Sequence, residues 1–359
     1  MLELNHKGRY PMKQTMKTLS KHHLGPGMSW VDKPIPQIKA NEVLVKVLSA
    51  SICGTDVHIY TWDAWAQNRI QQPHTMGHEL SGRIVELGKD VNGFNVGDIV
   101  TTETHIVCHT CEFCLSHQAH ICAHTKVIGV DIDGVFAEYV ALPATNLIQC
   151  DPTMDHDLLS VQEPLGNAVH TVMAGDIKNK TVAVLGVGPI GILAVDVAKA
   201  MGASKVIAVD VNAYRLDLAL KIGADAAIHS FNENADDRIK ALVGPYGVDV
   251  VLEMSGNGQA LKQALGYLKP GGRMSILGIP TQEVSLDIGQ DIVFKGITIQ
   301  GITGRRMYET WDQIKILLNE QRLHLDQIVT HRFDWADYEE AFKLMESGNC
   351  GKVVLKIGK

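Results

Sequence analysis

The chain has 359 residues, 45% apolar and 20% charged, with 33 glycines and a net charge of −7. At about 150 residues per domain this length points to two domains, with enough apolar surface to exclude a disordered chain. The acidic balance and the absence of a basic run argue against a nucleic-acid partner. The longest near-apolar stretch, residues 182–195, is shorter than the ~20 residues a membrane span requires.

Residues 1–11 are polar and carry no apolar leader segment, so a loose tail on a cytoplasmic protein is expected. From about Lys17 to Ala144, short β-type runs alternate with Gly-rich turns. Strands are expected at 43–47 (VLVKV), 82–87 (GRIVEL) and 134–142 (GVFAEYVAL). From about Gly175 the rhythm changes. Strands at 181–185, 206–209, 226–229, 248–253, 273–277 and 297–299 alternate with helices at 190–201, 214–222, 236–243 and 258–268. Such alternation predicts a parallel sheet covered by helices. A helix at 308–320, a strand at 328–331, a helix at 338–347 and a strand at 352–356 close the chain. The fold class is α/β: a mostly-β part followed by a doubly wound parallel sheet.

Three motifs carry chemistry. The strand at 181–185 runs into Gly186-Val187-Gly188-Pro189-Ile190-Gly191 and then a helix. Gly186 permits the tight turn, Gly188 lets a pyrophosphate approach the backbone, and Gly191 allows close helix–strand packing. The helix N-terminus supplies N–H groups and positive potential for phosphates. The second strand ends at Asp210, whose carboxylate accepts from ribose hydroxyls and repels a 2′-phosphate, which favours NAD over NADP. Arg215 nearby reads as a solvated helix residue, as a neighbour of the adenine, or as the arginine that would serve NADP.

Cys108, Cys111, Cys114 and Cys122 follow a C-x2-C-x2-C-x7-C pattern. Four thiolates at such spacing suit a closed structural zinc. An Fe–S cluster fits the ligand count, but nothing else in the chain asks for one-electron chemistry. With four thiols present, His105, His109, His117, His120 and His124 are expected at the surface. Cys53, in SICGTDVH, and His78 and Glu79, in MGHE, offer the S, N and O donors of an open catalytic zinc site. Each taken alone reads equally as a core cysteine or a structural histidine. Cys150 and Cys350 are expected to be packing residues.

Read in order, Cys53-Gly54-Thr55-Asp56, Gly77-His78-Glu79, the four-Cys lobe and GVGPIG resemble the zinc-dependent medium-chain dehydrogenases, from about Lys17 to the C-terminus. SICGTDVHIYTWDAWAQ, TETHIVC, GVFAEY, QEPLGNAVHTV and GITGRRMYETW narrow the resemblance to members that oxidise the 3-hydroxyl of L-threonine with NAD+, giving L-2-amino-3-oxobutanoate and NADH. The resemblance implies a GroES-like catalytic domain from residues 1–162 and 304–359, with a structural zinc lobe at about 105–125, around a Rossmann domain at 163–303. It implies a homotetramer acting on a small-molecule substrate, with two Zn2+ per subunit. Cys53, His78 and Glu79 would hold the catalytic zinc, with Glu163 beside it. Zinc would stabilise the substrate alkoxide, Thr55 and His58 would carry the proton away, and the nicotinamide would take the hydride. The implied cofactor contacts are Ile190, Asp210, Arg215, Leu277, Gly278, Ile279, Ile302 and Thr303. Arg305 or Arg306 is placed to meet the substrate carboxylate. A secondary alcohol, diol or polyol dehydrogenase would use the same zinc, relay and cofactor. A non-catalytic zinc- and nucleotide-binding protein is disfavoured, because Cys53, Thr55, His58, His78, Glu79 and Glu163 are all present.

Overall fold

The run EVLVKVLSAS, rich in β-formers, makes the strand Glu42–Ser51 at the centre of the first unit. In the computed structural model, which describes residues 14–358, this strand pairs antiparallel with Glu79–Leu87 along one edge. Along the other edge it meets Tyr139–Pro143 and then Lys352–Lys356, from the far end of the chain. Ile99–Thr102, Leu147–Gln149 and Val329–Asp334 complete a seven-stranded sheet. A three-stranded sheet of Ser29–Pro34, Thr15–Lys21 and His74–Thr75 packs nearby. Val43, Val45, Val47, Leu80 and Ile84 share one apolar core with Val353 and Leu355, so both chain ends build one unit. The expected tail at residues 1–11 lies outside the described residues.

The second unit is a six-stranded parallel sheet. Its order is Ala226–His229, Lys205–Asp210, Thr181–Leu185, Val248–Glu253, Leu268–Ile276, Thr298–Gly301. The order reverses direction at Thr181–Leu185, and ligands of such sheets bind in the crevice at that switch point. The central strands Lys205–Asp210, Thr181–Leu185 and Val248–Glu253 are nearly continuous hydrophobic runs, as burial on both faces demands. Their helices include Pro189–Ala200, Ala213–Lys221, Ala235–Val243 and Gly258–Tyr267.

Two differences from the sequence expectations bear on the site. Residues 134–138 are not part of a regular strand. Gly134, Val135 and Phe136 donate their N–H groups to the carbonyls of Thr75, Gly77 and Met76, so this segment braces the loop that leads into His78. The helix Gln162–Val172, buried almost all round, is not among the elements expected from the sequence. It packs against Pro189–Ala200 and Glu309–Asn319, between the two units.

Candidate active site and metal centres

Strand register assembles the first centre. Ser51 lies opposite Glu79, so residues just beyond the end of one strand face those just before the other. Cys53 then caps the helix Gly54–Thr61, and its N–H donates to Asp56 Oδ2 (2.9 Å). Asp56 Oδ1 accepts from Gly77 N–H at 3.1 Å and lies 3.8 Å from His78 Nδ1. Gly77 has φ +87°, and a Cβ there would meet the Phe136 ring at 2.4 Å, so the turn into His78 requires glycine.

Donor atoms of Cys53, His78 and Glu79 lie within 4.8 Å of one another. His78 and Glu79 are buried, and His78 Nδ1 and Glu79 Oε1 have no hydrogen-bond partner among the described residues. Glu79 Oε2 accepts from Ser51 Oγ and from Lys352 Nζ, itself buried. Burial alone would strip His78 of its proton, yet Asp56 and then Cys53 push it up to about 10. The surroundings therefore favour positive charge, and a divalent cation on this S, N, O set answers that demand.

The second centre is an exposed lobe. Its sulfurs are separated by 3.5 Å (Cys108–Cys122), 3.6 Å (Cys111–Cys114), 3.8 Å (Cys111–Cys122) and 4.0 Å (Cys108–Cys114), and none is in a disulfide. A zinc tetrahedron with bonds of about 2.3 Å has sulfur–sulfur edges of about 3.8 Å, so the four thiols fit one ion. The Thr110 backbone N–H brings Cys108 down to about 5, whereas burial and the adjoining thiols push Cys114 up to about 12.

A cavity of about 400 Å3 joins the first centre to the Gly-rich turn. It is lined by Cys53, His58 and Glu79 on one side and by Gly188, Ile190, Gly191, Arg215, Leu277 and Gly278 on the other. A second cavity of about 550 Å3 continues past Gly186, Asp210 and Arg215 to Ser230 and Tyr267. Each glycine of the turn has its own reason. Gly186 has φ +79°, a Cβ on Gly191 would lie 2.0 Å from the Gly186 carbonyl oxygen, and a Cβ on Gly188 would meet nothing nearer than Arg215 at 3.6 Å. Gly188 thus leaves an open cradle at the start of a twelve-residue helix. Asp210 Oδ2 accepts from Val187 N–H (2.7 Å), and Oδ1 accepts from Val211 and Asn212 N–H. Arg215 Nε donates to the Gly348 carbonyl, linking this unit to the other. Ile279 is 86% exposed, and Ile279, Ile302 and Thr303 line neither cavity.

Thr55 and His58 lie on one helix, three residues apart, so they share a face. Thr55 Oγ1 is 3.8 Å from Cys53 Sγ. Glu163, at the start of Gln162–Val172, is not among the grouped metal donors, and its Oε1 lies 2.5 Å from Arg305 Nη1. Arg305 is 1% exposed. Its Nε and Nη2 donate to Glu103, and its Nη1 also donates to Asn167 Oδ1. Trp311 Nε1 adds a bond to Glu103 Oε2. Burial would raise the Glu103 carboxyl, but the Arg305 charge holds it below the usual range.

The expectation that Arg305 meets the substrate carboxylate is therefore corrected: its guanidinium is committed to Glu103, Glu163 and Asn167. Arg306 faces Glu309 at 3.3 Å on the surface. The expectation of five surface histidines is also corrected. His109, His117 and His124 are exposed. His105 is turned in beside Glu103 with an unpartnered Nδ1, and His120 stands edge-on to His170 at 5.6 Å. Glu103 and His105 lie in TETHIVC and Asn167 in QEPLGNAVHTV, but those runs assign them no role, and only the folded chain brings them to Glu163 and Arg305.

Two family models match this chain: an alcohol dehydrogenase GroES-like domain over residues 39–152, and a zinc-binding dehydrogenase domain over residues 189–320. L-threonine 3-dehydrogenase of Bacillus licheniformis is 50% identical over 344 residues, spanning 96% of this chain and 99% of that protein. The chain belongs to the zinc-dependent medium-chain dehydrogenases. Among solved members, a protein of Sinorhizobium meliloti described as a zinc-binding dehydrogenase and bound to NADP superposes with TM-score 0.88 at 29% identity, covering 96% of this chain and 100% of that one. A protein of Escherichia coli CFT073 described as a short chain alcohol dehydrogenase and complexed with NADH gives 0.86 at 28%, with the same coverage. Zinc and a nicotinamide dinucleotide are the cofactors of this family, and the family is one of oxidoreductases.

Proposed function

We propose that this chain oxidises the 3-hydroxyl of L-threonine with NAD+, giving L-2-amino-3-oxobutanoate and NADH. The observation that carries the reading is one cavity bounded by Cys53, His58 and Glu79 on one wall and by the Gly188–Gly191 turn on the other. The threonine assignment draws on the relatives named for that activity. NAD rather than NADP is favoured by Asp210, whose charge opposes a 2′-phosphate at the ribose end.

In this reading Cys53, His78 and Glu79 hold the catalytic zinc, and Cys108, Cys111, Cys114 and Cys122 hold a structural one. A bound zinc ion draws electron density from a hydroxyl oxygen and so makes its proton easier to lose. The chain's own residues supply the rest. Thr55 Oγ accepts that proton while passing its own to His58, which hands it to solvent. Gly186, Gly188, Ile190, Gly191, Asp210, Arg215, Leu277 and Gly278 would hold the dinucleotide, which would supply a hydride acceptor. Ile279, Ile302 and Thr303 join them through the loops that follow the last two strands. Arg305 holds Glu163 beside the metal donors, where its charge can steady a cationic centre. The catalytic domain is read as 1–162 with 304–359, and the cofactor domain as 163–303. A cytoplasmic homotetramer is part of the same proposal.

The test is NADH formation by zinc-loaded protein offered L-threonine, D-threonine, 2,3-butanediol or sorbitol, each with NAD+ or NADP+. Preference for L-threonine and NAD+ supports the reading. Preference for a diol or polyol overturns the substrate and keeps the site.

A further inference from the structure

The helix Gly54–Thr61 ends at Trp62 in a left-handed conformation, and the chain starts a new helix, Ala64–Arg69, one residue later. The residue between is Asp63, and its two carboxylate oxygens do different work. Oδ1 accepts the Ala66 N–H at 2.9 Å and caps the new helix. Oδ2 turns back to the first helix and lies 2.6 Å from His58 Nδ1. Trp65 flanks the same imidazole, with ring centroids 6.1 Å apart.

A carboxylate only accepts hydrogen bonds, so the shared proton sits on His58 Nδ1 and Nε2 is left as the basic nitrogen. We infer that Asp63 is a positioning residue of the proton exit path: it fixes His58 in the Nδ1–H tautomer and steadies the imidazolium formed when Nε2 receives a proton. The inference rests on the proposed role of His58. The proton leaving the substrate hydroxyl reaches Thr55 Oγ, the Thr55 proton passes to His58 Nε2, and His58 releases one to water. The electron pair of the broken C–H bond goes to NAD+ as hydride.

Other charged groups around His58 have different partners. Glu79 is bonded to Lys352, and Arg215, on the opposite wall, to the Gly348 carbonyl. From the packed helix Tyr338–Ser347, Glu339 and Glu346 bear on Tyr60. Arg69 pairs with Asp131, and Lys21 lies over Trp62.

A cap and a tautomer clamp rank substitutions in opposite orders, which gives the test. Asn and Ser are good caps and Ala is a poor one. If Asp63 only caps, Asp63→Asn and Asp63→Ser keep activity, and Asp63→Ala alone loses thermal stability. If Asp63 clamps His58, Asp63→Asn is the worst for kcat. Its amide oxygen caps while its NH2 faces Nδ1, which forces the proton onto Nε2. We expect a loss of about tenfold or more in kcat for Asn, within the range general acid–base catalysis contributes. Asp63→Ser, a cap without an NH2 to set against Nδ1, should be milder. Measured with L-threonine and NAD+, beside melting curves, a kcat lowest for Asn with KM and melting temperature kept supports the inference. Harmless Asn, or Asn no worse than Ser, overturns it. His58→Asn separates the two layers. If it loses activity while Asp63→Asn does not, only the clamp fails; if it keeps full kcat, the relay itself falls and the clamp with it.

Discussion

Arg305→Met is the substitution that most directly probes the join between the two units. Methionine keeps much of the side-chain volume but removes a guanidinium that is 1% exposed and holds Glu103 and Glu163 together. Both carboxylates are then left buried without their cation, and breaking a buried pair from one side costs about 3–5 kcal/mol. Glu103 retains the Trp311 Nε1 and His105 N–H bonds, which keeps the loss within that range rather than above it. The pH dependence has a definite sign. In the native protein the Glu103 carboxyl lies below its ordinary value. Its stabilisation is thus present above about pH 4.3 and is lost only as pH falls through the lower folded value. Without Arg305, burial raises the same carboxyl. The penalty is then full near neutral pH and is relieved as acidification protonates the group. Urea unfolding followed by circular dichroism, at fixed protein concentration, should show the gap between native and variant widest near pH 7 and narrower near pH 5. Arg306→Met, removing an exposed pair with Glu309, should cost no more than about 1 kcal/mol. A gap for Arg305→Met of under about 1 kcal/mol, or one constant with pH, would refute the reasoning.

Asp210→Asn should weaken NAD+ binding by about 10–100-fold, the value of hydrogen bonds to a charged group, and narrow the preference over NADP+; Michaelis constants for both cofactors check it. Gly191→Ala forces a Cβ to within 2.0 Å of the Gly186 carbonyl oxygen, so a stability loss of about 1–3 kcal/mol in urea unfolding is expected, along with weaker NADH fluorescence enhancement. Cys114→Ser should lower the zinc content by one ion per chain while the ion held by Cys53, His78 and Glu79 stays, and Cys53→Ser should do the converse; elemental analysis after exhaustive dialysis distinguishes them. One ion per chain in each single variant and none in the double variant is expected; loss of both ions from either single variant would contradict the assignment of two independent centres.

What was legible in the sequence was what local geometry imposes. Gly186, Gly188 and Gly191 could be read because each answers a backbone need of one turn, and the four thiols because they sit on one short loop. The parallel sheet was legible from its apolar runs and the helices between them. Cys53, His78 and Glu79 meet only through the Ser51–Glu79 register, which a single sequence does not display, so they were reached by resemblance. Glu103 and Arg305 are 202 residues apart, and the runs that contain them, TETHIVC and GITGRRMYETW, do not show that they pair. Arg305 was misassigned to the substrate because an arginine beside a cofactor loop reads the same whether its partner is a ligand or a buried glutamate. His105 and His120 were misread as surface residues because their burial depends on Glu103 and His170, which arrive from other parts of the fold.

The strand Lys352–Lys356, pairing with Glu42–Ser51 and placing Lys352 on Glu79, has a consequence for biosynthesis. The cofactor sheet is contiguous and can fold as soon as residues up to Gly301 have left the ribosome, whereas the first unit waits with its edge strand unpaired. At about 5–20 residues per second the residues from Gly301 to Lys356 take about 3–11 seconds. During this delay Cys53, His78 and Glu79 exist as a nascent, half-walled cluster, while the four-thiol lobe is complete in sequence long before. The two metal centres are thus expected to mature in order, the lobe early and the cavity last, and a ribosome stalled before Lys352 would carry a chain able to fill only one of them.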